Sequence, residues 1–110
     1  MIVSDGELAD YFSALANASR LSVLRTLAKG ELSAAELASR VGLSPSALSH
    51  HLNVLKRQQI VKARREAQTI YYSLAGHRSE KAVSLLNDIL FPYGVQMSMF
   101  DLSDFSPKAA

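Results

Sequence analysis

His50 and His51 stand side by side in the run LSPSALSHHLNVLKR, residues 43–57. Imidazoles bind metals and take up protons, so a metal centre or a catalytic base is the first chemistry the pair suggests. Neighbouring residues on a helix point about 100° apart, so the two rings cannot readily hold one ion from a single helix. The i, i+4 pairing of His-Glu-x-x-His is absent. Nothing nearby has the spacing of a nucleophile, a base and an orienting group. A different chemistry fits the surrounding residues. Ser46, Ser49, His50, Asn53 and Arg57 recur at i, i+3, i+4, i+7 and i+11. That stripe places small hydrogen-bonding side chains near the start of a helix and a cation near its end. It suits a helix lying in the DNA major groove, where Ser, Asn and His reach base edges and short side chains allow close approach. An ordinary solvated helix face would carry a similar stripe. His51 falls at the edge of it, facing the preceding helix or a phosphate.

The stripe needs a helix to carry it. Leu48, Leu52 and Leu55 repeat on the opposite side at i, i+4 and i+7, a core-facing set. Ser44-Pro45 is an N-cap followed by proline at the first helical position, so the spacing predicts a helix over about 44–58. Ser33-Ala34-Ala35-Glu36 is a capping-box pattern that starts a short helix through Leu37, Ala38 and Val41. Gly42-Leu43 is the turn between the two, which makes the pair a helix-turn-helix. Upstream, Leu8, Tyr11, Phe12 and Leu15 mark one helix. Leu21, Val23, Leu24, Leu27 and Ala28 mark another, opened at Asn17 and closed at Lys29-Gly30. Downstream, VKARREAQTIYYSL holds two β-prone runs around Glu66-Ala67-Gln68, which predicts a hairpin. Arg64 and Arg65 are placed near its start, Gln68 and Thr69 at its turn. Tyr71 and Tyr72 are read as sheet packing, one facing the core and one not. A last helix is expected from Ser79 to about Phe91, with Val83, Leu86, Ile89 and Leu90 apolar and Pro92 and Gly94 ending it. The resulting fold class is mainly α with a small β-hairpin, in the order α-α-α-α-β-β-α. Residues 1–94 are expected to form one DNA-binding and dimerisation domain, and residues 95–110 a tail.

The chain of 110 residues suits one modest core. Its apolar runs are too short to cross a membrane. It has no cysteine, so thiolate ligands, disulfides and thiol nucleophiles are excluded. The first residues carry Asp5, Glu7 and Asp10 and lack a signal-peptide pattern, so a cytoplasmic protein is expected. The net charge of +2 says little, but its distribution says more. Residues 44–66 hold Lys56, Arg57, Lys62, Arg64 and Arg65 against Glu66 alone, while the segments on either side are each slightly acidic. Such a concentration is how an anion-binding face looks in sequence. A wing of this kind rests on the DNA backbone or dips into the minor groove, where arginine is favoured.

In order and spacing the chain resembles the ArsR/SmtB family of winged helix-turn-helix bacterial regulators over about residues 7–91. The similarity runs through Asn-x-x-Arg-Leu, Glu-Leu-x-x-x-Glu-Leu, Ser-x-x-Ser-x-His-Leu, the wing and Tyr-Tyr. SPSALSHHL with RREAQTIYYSL is most similar to the branch that holds a rhizobial nodulation regulator and a vibrio haemolysin regulator. The resemblance implies a homodimer joined through the first and last helices. It therefore assigns Leu8, Tyr11, Phe12, Leu15, Val83, Leu86, Ile89 and Leu90 to dimerisation; the bare sequence equally allows them to be monomer core. It also implies double-stranded DNA as partner, contacted by Ser44, Ser46, Ala47, Ser49, His50, Asn53, Arg57, Arg64, Arg65, Gln68 and Thr69.

The departures from the family concern its sensors. Ser33 and Ala35 stand where thiolate metal sensors carry Cys-x-Cys. Gly76, Arg78, Ile89 and Pro92 stand where zinc sensors place ligands, and none of these four is a useful ligand. Ala38 and Phe91 stand where redox sensors carry cysteines. His77 is a lone histidine suited to capping or solvation. No metal and no cofactor is expected, and no effector is specified. A DNA-binding regulator, a repressor, is the favoured reading. Its rival is a winged-helix protein-interaction module docking through the hairpin and FPYGVQMSMFDL. An enzyme is not expected, since no carboxylate pair, P-loop or triad is visible.

Overall fold

Helix start signals written into the sequence account for most of the architecture. The computed structural model describes residues 3–90, with the Leu90 side chain excepted. The Ser4 hydroxyl accepts from the Glu7 amide and the Glu7 carboxylate accepts from the Ser4 amide, a closed capping box that opens α1, Asp5–Leu15. The Asn17 side chain accepts from the Arg20 amide and opens α2, Ala18–Leu27. The expected Ser33–Glu36 box is formed and opens α3, Ala34–Val41. Gly42 then takes a left-handed φ of 70°, and both its amide and that of Leu43 donate to the Ala38 carbonyl. A left-handed residue at this position is the usual helix stop. Ser44 caps α4, Pro45–Arg57, with Pro45 at its start.

The sheet has three strands rather than the expected two. β1, Leu32–Ser33, precedes α3 and pairs antiparallel with β3, Thr69–Leu74, which pairs in turn with β2, Val61–Glu66. The order is β1-β3-β2. Two residues give no periodic signal, and Ser33 is also the cap of α3, so β1 is indistinguishable from a cap in the sequence. The hairpin register pairs Glu66 with Thr69 across a two-residue turn, Ala67-Gln68. Arg64 and Arg65 therefore lie in the second half of β2, beside the turn, not near the start of the hairpin. α5, Gly76–Leu90, begins three residues before the expected Ser79. Gly76 takes a φ of 52°, which lets the chain leave β3 straight into the helix. The Ser79 hydroxyl, itself buried, donates to the Gly76 carbonyl at 2.7 Å.

The core gathers one face of every helix. Val23, Leu24, Leu37, Leu52, Leu55, Ile60 and Val83 are its largest fully buried side chains. The periodic set Leu48, Leu52 and Leu55 seats α4 against this core, which turns its other face outward. In the sheet, Tyr72 and Leu74 pack on the core while Tyr71 faces away from it. Leu15 and Val83 are used inside the protomer, 8% and 2% exposed, and Leu86 is half-buried against the same core. Tyr11 is half-buried too, its hydroxyl donating to the Arg78 carbonyl at 2.9 Å. Leu8, Phe12 and Ile89 are exposed, together with Leu85. The tail at 95–110, with Phe91, Pro92 and Gly94, lies outside the described residues. Among the described residues no helix is long and apolar enough to cross a membrane.

Candidate nucleic-acid interface

The outward face of α4 presents Ser46, Ser49, His50, Asn53 and Arg57, all exposed, with Lys56 beside them. Ser44, also exposed, uses its oxygen to accept from the Ala47 amide at 3.2 Å, which leaves its own O–H free to donate. Ala47, half-buried, presents only a methyl group. Free backbone N–H groups at the start of such a helix favour an anion, and the side chains beyond them are of the size and polarity that read base edges.

His51 behaves differently from its neighbour. It is half-buried and meets α2: its Nδ1 lies 3.1 Å from Nη1 of Arg20. Partial burial, the Arg20 guanidinium and His50 together hold the His51 pKa below its ordinary value. The two imidazole centroids are 5.3 Å apart and tilted by 59°. Among the described residues no cluster of three or more metal-ligating side chains occurs.

The wing carries its cations on opposite faces. By strand alternation Lys62 and Arg64 share the face of Tyr71 and Ser73, and Arg65 shares that of Ile70. Arg64 is fully engaged. Its Nε and Nη2 donate to the two Glu31 oxygens at 2.9 and 2.8 Å, and Nη1 donates to Glu66 at 2.7 Å. The guanidinium carbon lies 4.5 Å from the Tyr71 ring centroid. The hydrogen bonds from Arg64 hold the Glu31 carboxyl below its usual range, and the two carboxylates push the Arg64 pKa up. Arg65, Gln68 and Thr69 are exposed around the tip. Glu66 could have been suspected from its i, i+2 spacing to Arg64 on one strand face. Glu31, 33 residues upstream of Arg64, left no such signal. Nor did the Arg20–His51 contact.

A stripe of this composition on the second helix of a helix-turn-helix, followed by a basic hairpin, is matched by known proteins. A family model described as bacterial regulatory protein, arsR family, matches residues 17–63. The nodulation protein NolR of Rhizobium meliloti is 48% identical over 86 residues, spanning 77% of this chain and 70% of that protein. The chain belongs to the arsR family. Within it, the transcriptional activator HlyU of Vibrio cholerae is 46% identical over 74 residues, 67% of this chain and 68% of that protein. The crystal structure of NolR from Sinorhizobium fredii superposes with a TM-score of 0.72 at 40% identity, covering 87% of this chain and 99% of that one. A homodimeric winged helix-turn-helix DNA-binding domain from Mycobacterium bovis superposes with a TM-score of 0.68 at 30% identity, covering 86% and 97%. The branch expected from the sequence, nodulation regulator and haemolysin regulator, is the one these similarities identify. This arsR-family chain is a winged helix-turn-helix transcriptional regulator, with α3 and α4 as the helix-turn-helix and β2–β3 as the wing.

Proposed function

We propose that the protein is a cytoplasmic homodimeric repressor that lays α4 of each protomer into successive major grooves of a pseudo-palindromic operator. The observation that carries this reading is the exposed stripe from Ser46 to Arg57, held outward by the burial of Leu48, Leu52 and Leu55. Ser44, Ala47 and the wing tip flank it. Two-fold symmetry then sets half-sites about 10 bp apart or a multiple of that. Leu8 and Phe12 on α1 are 47% and 49% exposed, and Leu85 and Ile89 on α5 are 38% and 64% exposed. Large apolar side chains exposed on both terminal helices suit an isologous two-fold interface. The homodimeric Mycobacterium bovis domain supports the same assembly. Leu15 and Val83, buried within the protomer, support that interface from beneath rather than forming it.

The protein acts by occupying DNA and excluding polymerase, not by catalysis. Metal and thiol control are left out of this reading, because Ser33, Ala35, Gly76 and Arg78 supply no thiolate, imidazole or carboxylate at the family's sensor positions. The test is fluorescence anisotropy on a duplex from the protein's own promoter region and on a scrambled duplex, across a salt series, with chelator and with added zinc. Binding that prefers the promoter, falls steeply with salt and ignores both zinc and chelator is expected. Binding abolished by zinc would overturn metal independence. Equal, negligible binding to both duplexes at low salt would replace DNA reading by a protein-interaction role.

A further inference from the structure

Arg20 joins two elements that are not consecutive in the chain, α1 and α4. Nε donates to the Ala14 carbonyl at 2.6 Å and Nη2 to the Ser13 carbonyl at 3.2 Å. Both carbonyls belong to the last turn of α1, which has no basic residue of its own there. The final carbonyls of a helix lack intrahelical partners and favour a cation, so Arg20 is firmly seated. Its remaining arm, Nη1, meets Nδ1 of His51 in the middle of α4 at 3.1 Å. Asn17, whose side chain caps the Arg20 amide, fixes the backbone from which the guanidinium reaches.

The chemistry of this contact depends on one proton. A guanidinium offers only N–H donors and stays charged, so Nδ1 of His51 must accept, and the neutral ring carries its proton on Nε2. An imidazolium has N–H at both nitrogens. Protonation therefore removes the acceptor and sets two cations face to face at hydrogen-bonding distance. The groups facing His51 all oppose that proton: Arg20 from α2, and His50 from its own helix. α1 contributes the carbonyls that hold Arg20 in place. The residue next to His51 is His50, on the exposed stripe, so any movement of the His51 anchor turns the stripe with it.

We propose that Arg20 and His51 are positioning residues for DNA reading: the pair ties the end of α1 to the middle of α4, and sequence discrimination requires an unprotonated His51. The inference rests on α4 being the reading helix. Protonation adds a positive charge to α4, which favours any DNA, but it frees the helix from the anchor that aims its side chains. Specific binding weakens while non-specific binding does not.

The experiment uses the full chain and a duplex recovered from a random-sequence pool at about pH 7.5, with its scrambled counterpart. Affinities for both are measured by anisotropy between about pH 7.5 and about pH 5.5 at fixed salt. The ratio of specific to scrambled affinity is expected to fall about tenfold toward the acid end, the size of a lost hydrogen bond to a charged group. His51→Asn places an amide oxygen where Nδ1 was and cannot titrate, so it keeps most of the ratio and flattens its pH dependence. His51→Leu has no acceptor and holds the low ratio at every pH. His50→Asn changes which duplex is preferred but retains the slope, and His77→Asn leaves it unaltered. Thermal melts at each pH separate these effects from unfolding. A ratio that is flat in the unmodified protein, or a slope that survives His51→Asn, overturns the proposal. A pool that yields no preferred duplex removes the reading helix itself, and this inference with it.

Discussion

Arg64 and Glu31 form a two-point ion pair that straps the wing to the segment leading into β1, with separations of 2.9 and 2.8 Å. The pair is exposed, so its energetic weight is small; its effect is to fix where charge points. With Glu66 bound to the third arm, Arg64 is more than neutralised by its own neighbours. The sequence counts Arg64 and Arg65 as equal contributors to a basic wing. The structure makes Arg64 a strut and leaves Arg65, on the other face of β2, as the cation nearest the tip.

Arg65→Ala is therefore expected to weaken binding on every duplex, with the salt slope falling by about 1. Glu31→Gln should do the opposite, removing one of the two carboxylates on Arg64, leaving it paired with Glu66 alone, and steepening the slope. Salt titrations of anisotropy check both. An unchanged slope in Arg65→Ala would show that this side chain does not meet phosphate.

Ser49→Ala and His50→Ala remove hydrogen-bonding groups from the exposed stripe without touching the core. Each should shift sequence preference by about 1 kcal/mol while leaving affinity for random DNA nearly constant. Selection from a random pool reports the preference. Equal losses on selected and random DNA would contradict base reading by these residues.

Ala67 occupies the wing turn with a φ of 56°, a left-handed conformation that costs a residue with a Cβ about 1 kcal/mol. Ala67→Gly is expected to relieve that strain and raise stability by up to roughly this amount, less the added freedom of the unfolded chain. Urea denaturation measures the difference. A destabilised variant would mean that the freedom gained on unfolding outweighs the strain.

Glu7 and Glu36 complete capping boxes, and the Ser4 and Ser33 amides hold their carboxyls below the ordinary value of 4.5. A depressed carboxyl stabilises the folded state fully above its unfolded pKa, and this stability is lost as pH falls through the folded value. His51 works in the same direction at higher pH. Its folded pKa is lowered from 6.5, so stability is complete above that value and declines as pH drops below it. Denaturation across this range should show two successive losses. Glu36→Gln should diminish the lower one and His51→Asn abolish the upper one.

The helical half of the fold was legible because its signals are local. Ser33 with Glu36, Ser44 with Pro45, and Gly42 each declare a boundary within four residues. The outward stripe of α4 was legible for the same reason, as the complement of Leu48, Leu52 and Leu55. What stayed hidden joins distant segments. β1 is too short for periodicity and doubles as a cap, and the partners of Arg64 and Arg20 lie 33 and 31 residues away. Periodicity also places Leu8, Phe12, Leu15 and Val83 together as apolar, but it cannot tell a face turned to the protomer's core from one turned outward. Leu85, exposed on α5, falls outside the expected apolar set altogether.

Arg78 carries a consequence for the geometry of any operator. Its guanidinium donates to the carbonyl and side chain of Gln58, the residue closing α4, both at 3.2 Å. It also lies 5.6 Å from the Tyr11 ring centroid, and its own carbonyl receives the Tyr11 hydroxyl. Three helices thus meet at a single side chain. In a dimer built on α1 and α5, the two α4 helices are held like the jaws of a caliper whose hinge is the interface. A small rotation at that hinge is magnified at the jaws, so the permitted distance between half-sites becomes a measure of how α1 and α5 are set.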